Sequence, residues 1–241
     1  MKTVILAAGI ASRLKPLTDN TPKCLLRIGE KCILEMTIEN LLETNNSEII
    51  IVTGYLENMI REFVAKRFPD LDVTYIYNNR YTSTNNIYSL WLTKGEVLGD
   101  DMIMMDSDIV FDKSIITKLK GSGYTNCLAL KRHEVHEEEI KVKVDSTGRV
   151  IAISKEVDPA QAAGESIGIE LFGKETVSDL FRIIERKVIG EKKVNQFYEA
   201  AFQELSDLYA VDTTEFFCME IDTPEDLVAA GDLVPNHLIQ K

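Results

Sequence analysis

The sequence is poor in residues that staple or anchor a chain. Its four cysteines, Cys24, Cys32, Cys127 and Cys218, show no Cys-x-x-Cys spacing. That argues against a disulfide framework or a cysteine zinc site and points to free thiols in a reducing compartment. No apolar run approaches a membrane span, and Met1-Lys2 leads straight into a strand pattern rather than a signal segment, so a cytoplasmic protein is expected. Positive charge is scarce too: 27 Lys plus Arg against 39 Asp plus Glu leave a net charge of −12. This balance disfavours nucleic acid or an anionic membrane as partner. Of three histidines, His133 and His136 stand three apart without a second ligand pair, which leaves a metal site and a solvated loop both open. The Gly-x-Gly-x-x-Gly of dinucleotide dehydrogenases and the Gly-x-x-x-x-Gly-Lys loop are both missing.

What the chain does have is material for a core, with 45% apolar residues in 241 positions, enough for one large α/β domain. Its most informative stretch runs from Leu6 to Thr18. Thr3 to Ala8 reads as a buried strand, and the small side chains from Ala7 to Ser12 let backbone N–H groups approach phosphate oxygens. Arg13, Lys15 and Lys23 add three cations, a combination that suits a polyphosphate. The bland alternative is a strand-to-helix turn with solvated basic residues.

Beyond it, strands and helices alternate. Cys32–Thr44 reads as an amphipathic helix, Glu48–Thr53 as a buried strand, Leu56–Val64 as a helix and Val73–Tyr77 as a strand. This rhythm predicts right-handed crossovers in a doubly wound sheet, with ligands beyond the carboxyl ends of its strands. Thr84 or Asn85 would cap the next helix. Within Met102–Val110 an apolar strand ends in Asp106 and Asp108, spaced to point the same way at its carboxyl end and suited to Mg²⁺ beside a triphosphate. Alternatively, one of them caps a helix over Asp112–Lys120. Cys127–Lys131, Lys141–Val144 and Val150–Ser154 read as strands, with Lys141 and Lys143 on one hairpin face that an exposed surface would explain equally well. Lys174–Val188 and Asn195–Tyr209 read as helices. Phe216–Leu227 delivers Asp222 just before an N-cap, Thr223, and Pro224 at the first helical position. Assisting that cap would be a sufficient role for Asp222.

Leu-Ala-Ala-Gly-x-x-Ser-Arg-Leu-x-Pro-Leu-Thr followed by Thr-Pro-Lys resembles the signature of the nucleotidylyltransferases that activate sugar phosphates. Within them the chain is most similar, over nearly its whole length, to the choline-phosphate and aminoalkylphosphonate cytidylyltransferases. The resemblance implies a Rossmann-like, doubly wound, mixed but mainly parallel α/β sheet in a single domain. Residues 1–130 would form the nucleotide-binding half and 131–241 the acceptor half with the second metal ligand. It implies a loop of Leu6, Ala7, Ala8, Gly9, Ile10, Ala11, Ser12 and Arg13 around the nucleotide, with Lys23, Asn85, Asn86 and Asp106 also contacting it. Arg13 and Lys23 would stabilise transferred charge, while Asp108 and Asp222 would share one Mg²⁺. Lys155 would bind the acceptor phosphate and Glu165 its polar or cationic end; Tyr81 and Trp91, with Tyr88, Phe197 and Tyr198, are the aromatic side chains available to a quaternary ammonium. The chain departs from the pattern at Ala11, where the family has a second glycine, and at Ser107 and Ile109 around Asp108. The implied reaction is CMP transfer from CTP to a small phosphate or phosphonate acceptor with release of pyrophosphate. A sugar-1-phosphate nucleotidylyltransferase using UTP, dTTP or CTP and a non-catalytic nucleotide-binding module are the alternatives. A homodimer is left open.

Overall fold

Alternating runs of β-branched and small residues build thirteen strands, described here from a computed structural model over residues 1–239. They are β1 (Lys2–Ala7), β2 (Arg27–Ile28), β3 (Lys31–Cys32), β4 (Ile49–Thr53), β5 (Val73–Tyr77), β6 (Met102–Asp106) and β7 (Ile109–Phe111). β8 (Cys127–Lys131), β9 (Lys141–Val144), β10 (Val150–Ser154), β11 (Gly164–Phe172), β12 (Tyr209–Asp212) and β13 (Cys218–Glu220) complete the set. The main sheet has the order β10-β9-β11-β6-β1-β4-β5, with β8 pairing β11 and β12. Its first half is parallel (β6-β1-β4-β5), whereas β11 runs antiparallel to β6, β8 and β9. The mixed sheet therefore joins both halves of the chain through the β6–β11 ladder.

Helices cover both faces, as the strand–helix rhythm requires. Successive residues of β1 face opposite ways. Ile5 and Ala7 enter a core shared with α1 (Ile33–Glu43), α2 (Glu57–Arg67) and, through Ile115, Ile116 and Leu119, with α5 (Ser114–Gly121). Val4 and Leu6 enter the other core, which takes α3 (Asn86–Leu92), Val97 of α4 (Lys94–Val97), α6 (Lys174–Glu185) and α7 (Glu199–Phe202). A smaller cluster seats α8 (Pro224–Leu233) and α9 (Asn236–Ile239) on Ile28, Ile33 and Val110. Full burial of one such aliphatic side chain contributes about 1.5–3 kcal/mol. Among the described residues, no helix is long and apolar enough to cross a membrane. The four cysteines are buried free thiols.

Three local expectations need correcting. The strand expected to end in both Asp106 and Asp108 stops at Asp106, because a bend at Ser107-Asp108 separates β6 from β7, which pairs with β13 instead of the main sheet. Asn195–Tyr209 contains only the short α7. Gln203 turns its amide to the β10 backbone, accepting from Ile153 N at 2.9 Å, and Tyr209 opens β12 against β8. Tertiary pairing overrides helical propensity there. Lys141 is not on an exposed face: it is 1% exposed, and its ammonium donates to the carbonyls of His136, Glu137 and Glu139. A buried ammonium requires such partners, and these hold the chain that precedes β9.

Candidate active site

In the parallel half of the sheet the carboxyl ends of β1 and β6 lie side by side, Leu6 opposite Asp106. The loop leaving β1 therefore turns over the end of β6. Leu14, fully buried, anchors a 3₁₀ turn over Ser12–Leu14, and the Thr18 hydroxyl donates to Ala11 O at 2.9 Å. Ala11 lies in the left-handed region at φ 52, so the residue that replaces the family's glycine accepts a conformation glycine takes freely. Gly54 permits the close pass of the β4 end: a Cβ there would lie 2.6 Å from Ala8 O and 2.8 Å from Tyr81 Cβ. Tyr55 ties the loop from the other side, its N–H donating to Ala8 O at 3.2 Å and its hydroxyl to Thr18 O at 3.0 Å.

The loop borders a cavity of about 800 Å³. Opposite it, the β7–β13 ladder pairs Ile109 with Glu220, and Ile221 N donates to Asp108 O at 3.0 Å. This ladder brings together carboxylates more than a hundred residues apart. Lys23, delivered by a 3₁₀ turn after Pro22, donates to Asp108 Oδ2 at 2.7 Å and to Asp222 Oδ1 at 2.5 Å. Arg13 Nη2 reaches Asp222 Oδ2 at 2.5 Å. Capping α8 falls to Thr223 and Asp226, which form a complete capping box, and this leaves the Asp222 carboxylate to the cations. Burial opposes charge on Lys23, but Asp108 and Asp222 outweigh it and raise its pKa. Burial likewise opposes charge on Asp222, yet Lys23 and Arg13 hold it below the usual carboxylate value.

Asp108, Glu220 and Asp222 each offer an oxygen within 4.8 Å of the others, the geometry of a cation site. Asp108 Oδ1 is buried without a hydrogen-bond partner, so a ligand atom is free there. Burial and the charges of Asp108 and Asp222 push Glu220 up to about 8, as expected of a carboxylate group with too little positive charge around it. Asp106 does not join this group. Its Oδ2 accepts from the Tyr198 hydroxyl at 2.7 Å, and burial, then Asp108 and Glu199, keep its pKa well above the normal value. The pair read as pointing one way is split, because the bend after β6 turns Asp108 toward Lys23.

The other predicted residues divide. Leu6, Ala7, Ala8, Gly9, Ala11 and Arg13 line the cavity, whereas Ile10 and Ser12 belong to the same loop outside its lining. Asn85 and Asn86 line it while serving the fold: Asn85 is the N-cap of α3, and Asn86 Oδ1 accepts from Tyr198 N at 2.9 Å. Lys155, Glu165 and Tyr81 line it as well. Lys155 bonds Glu138 at 3.0 Å and lies 5.4 Å from the Phe197 ring centre; Glu165 bonds His133 Nε2 at 3.0 Å. Trp91 is not brought to the cavity; it packs on the core with its ring 5.4 Å from that of Tyr88. The His133–His136 pairing does not form a ligand pair, since His133 groups with Glu139 and Glu165 instead.

Sequence reasoning gave no role to Glu220, Glu199 or Glu170. Glu220 had a signal, the same i, i+2 spacing to Asp222 that drew notice to Asp106 and Asp108. Glu199 and Glu170 had none, because a buried carboxylate in an apolar pattern is set by partners distant in sequence.

A mixed sheet with a parallel half, in which the loop after the first strand faces a lysine and paired aspartates, suits a phosphorylated ligand. The chain belongs to the nucleotidyl transferase family, whose profile, described as Nucleotidyl transferase, matches residues 2–234. A choline-phosphate cytidylyltransferase from Streptococcus pneumoniae is 30% identical over 218 residues, covering 83% of this chain and 92% of that protein. A CTP:phosphoglutamine cytidylyltransferase from Campylobacter jejuni is 26% identical over 251 residues, 94% of this chain and 98% of its own length. The solved CTP:phosphocholine cytidylyltransferase from Streptococcus pneumoniae superposes with a TM-score of 0.82 at 25% identity, covering 97% of this chain and 99% of that one.

Proposed function

We propose that this protein transfers CMP from CTP to a small phosphate or phosphonate acceptor. The observation that carries the reading is the convergence of Lys23 and Arg13 with Asp108 and Asp222, facing the loop after β1. An acceptor oxygen attacks the α-phosphorus and forms the new P–O bond while the bond to the β-phosphate oxygen breaks, and pyrophosphate leaves with that electron pair. The acceptor is already ionised at neutral pH, so no general base is required. Positioning and charge neutralisation then supply the rate.

Backbone N–H groups of the loop and Arg13 would hold the leaving pyrophosphate, and Lys23 would meet the charge that grows on the α-phosphate. Asp108 and Asp222, with Glu220 in reach, would hold Mg²⁺, which would supply charge neutralisation for the reacting phosphates. Asn85 and Asn86 would lie along the nucleotide, and Lys155 would take the acceptor phosphate. Support for the cytidine base comes from the similarity to cytidylyltransferases.

A pyrophosphate-release screen of four nucleoside triphosphates against phosphocholine, 2-aminoethylphosphonate and glucose-1-phosphate tests the proposal. CTP with one of the first two acceptors should be turned over. Turnover of only glucose-1-phosphate with UTP or dTTP would replace it by a sugar nucleotidylyltransferase. Release from no pair would leave a binding module.

A further inference from the structure

Part of the cavity wall beside Lys155 and Glu165 is made by a segment without regular structure. Residues 132–140 join β8 to β9, and His133, Glu138, Glu139 and Ile140 of this segment line the cavity. Glu138 bonds Lys155 at 3.0 Å and His133 bonds Glu165 at 3.0 Å, so the segment touches both residues expected at the acceptor. It is held by Lys141, the first residue of β9. The Lys141 side chain is 1% exposed, and its ammonium donates to the carbonyls of Glu137 at 3.0 Å, His136 at 3.2 Å and Glu139 at 3.4 Å. A buried charge is ordinarily matched by an opposite one. Here it is matched by carbonyls that a helix or strand would otherwise have paired. Drawing them onto one cation curls 136–139 into a turn. The anchor itself stands on the sheet: Lys141 lies opposite Glu165 in the β9–β11 ladder and opposite Ser154, the neighbour of Lys155, in the β9–β10 ladder.

We propose that Lys141 is a positioning residue for the acceptor: its buried ammonium pins the β8–β9 segment as the wall against which the acceptor is held. This rests on the transferase reading above. Lys141 is not among the cavity-lining residues, so it acts through His133, Glu138 and Glu139 and not by touching a substrate. An ammonium brings three N–H donors, one for each carbonyl, which a neutral side chain filling the same space could not supply. A segment without ladder or helix bonds samples many conformations unless something fixes it, and ordering it in advance removes that cost from binding. Transfer also needs the acceptor oxygen aligned on the α-phosphorus, so a wall free to shift loses reactive geometry as well as occupancy. The nucleotide end is built by other elements, the loop after β1 and the turn that carries Lys23. Loss of the clamp is therefore felt by the acceptor and hardly by CTP.

The test compares wild type with Lys141→Met, which keeps the side-chain length and removes the ammonium, and with Lys141→Arg, which keeps charge and donors. Initial rates with CTP and Mg²⁺ are measured on phosphocholine and 2-aminoethylphosphonate. Glutamyl endopeptidase, with cleavage sites after Glu134, Glu137, Glu138 and Glu139, reads the segment directly. Lys141→Met should raise KM for the acceptor about tenfold and leave KM for CTP within about twofold. Its segment should be cut about tenfold faster, and Lys141→Arg should recover most of both changes. An unchanged acceptor KM in Lys141→Met would overturn the inference. So would equal rises in both KM values, which would mark Lys141 as general support for the fold. Wild type gives a reading that survives a misfolded variant. With Ca²⁺ in place of Mg²⁺ to slow transfer, adding acceptor to the CTP-bound enzyme should slow cleavage of the segment, and CTP alone should not. Protection by CTP alone, or none from the acceptor, would also overturn it. Transfer by wild type to neither acceptor would end the transferase reading with it; the other failures leave that reading intact.

Discussion

Two groups of carboxylates border the same cavity and are treated in opposite ways. At the end bordered by the loop after β1, Asp108 and Asp222 are answered from within the chain by Lys23 and Arg13. Beneath the cavity, Glu170 and Glu199 carry buried oxygens with no partner. The first group is organised before any ligand binds, as electrostatic preorganisation requires. Among the described residues, no lysine or arginine hydrogen-bonds to the second, and burial favours its protonated form.

Removing the internal answer breaks the contrast most severely. Lys23→Ala leaves Asp108 without a cation and Asp222 with Arg13 alone, and strips charge stabilisation from the reacting phosphate. By analogy with lost oxyanion donors, kcat should fall about 10²–10³-fold, roughly 3–4 kcal/mol. Pyrophosphate release under saturating substrates measures this, and circular dichroism checks that the variant is folded. Near-full turnover would remove Lys23 from the chemistry.

The second group should show itself in stability against pH. Glu199 titrates near 7 in the folded protein and at 4.5 in the reference state, so the native chain holds the extra proton between those values. Stability from this group is complete below pH 4.5 and is lost as pH rises to about 7, on the order of 3 kcal/mol as an upper bound. Asp106 from β6, Glu170 from β11 and the neighbouring Tyr198 face the same site; Asp106 and Glu170 are shifted in the same direction, and Lys155 acts against the shift at Glu199. Denaturant unfolding without ligands should show wild type losing stability from pH 5 to 8, with Glu199→Gln losing less. An identical slope in both proteins would place the shift elsewhere.

A smaller effect tests whether the first group also needs an outside cation. Asp222→Asn keeps the shape and removes one charge from the trio with Asp108 and Glu220. The Mg²⁺ concentration for half-maximal turnover should rise about tenfold, near 1.4 kcal/mol. A Mg²⁺ titration of initial rates measures it; an unchanged midpoint would take Asp222 out of the metal set.

How much of this could be read in advance follows from what each feature depends on. The tight turn after β1 and the cap at Thr223 were legible because each is a local pattern whose geometry its own neighbours dictate, whereas Lys23 and Asp108 were given their roles through the family resemblance. The parallel half of the sheet was legible through strand–helix alternation. The antiparallel β11 extension, β12 and the brevity of α7 were not, because pairings with β6, β8 and β10 decide them. Trp91 was assigned to the acceptor on residue type alone, and packing against Tyr88 claimed it. Glu199 looked like an ordinary polar helix residue. Only the closure of β6, β11 and α7 around it makes its carboxylate unusual.

The least change comes from a position where the cost lies in the backbone rather than in charge. Ala11 holds φ 52 beside cations that are already paired, so its strain is separable from the electrostatics of either group. Left-handed backbone costs a non-glycine residue about 1–2 kcal/mol, and replacing Ala by Gly returns about 0.4–1 kcal/mol of that by loosening the unfolded chain. Ala11→Gly should therefore stabilise the protein by roughly 0.5–1 kcal/mol in denaturant unfolding. KM for CTP should stay within about twofold, since buried Leu14 and the Thr18 hydroxyl on the residue-11 carbonyl anchor the loop without using the substituted side chain. A destabilised variant would mean that the Ala11 methyl contributes packing that outweighs its backbone strain.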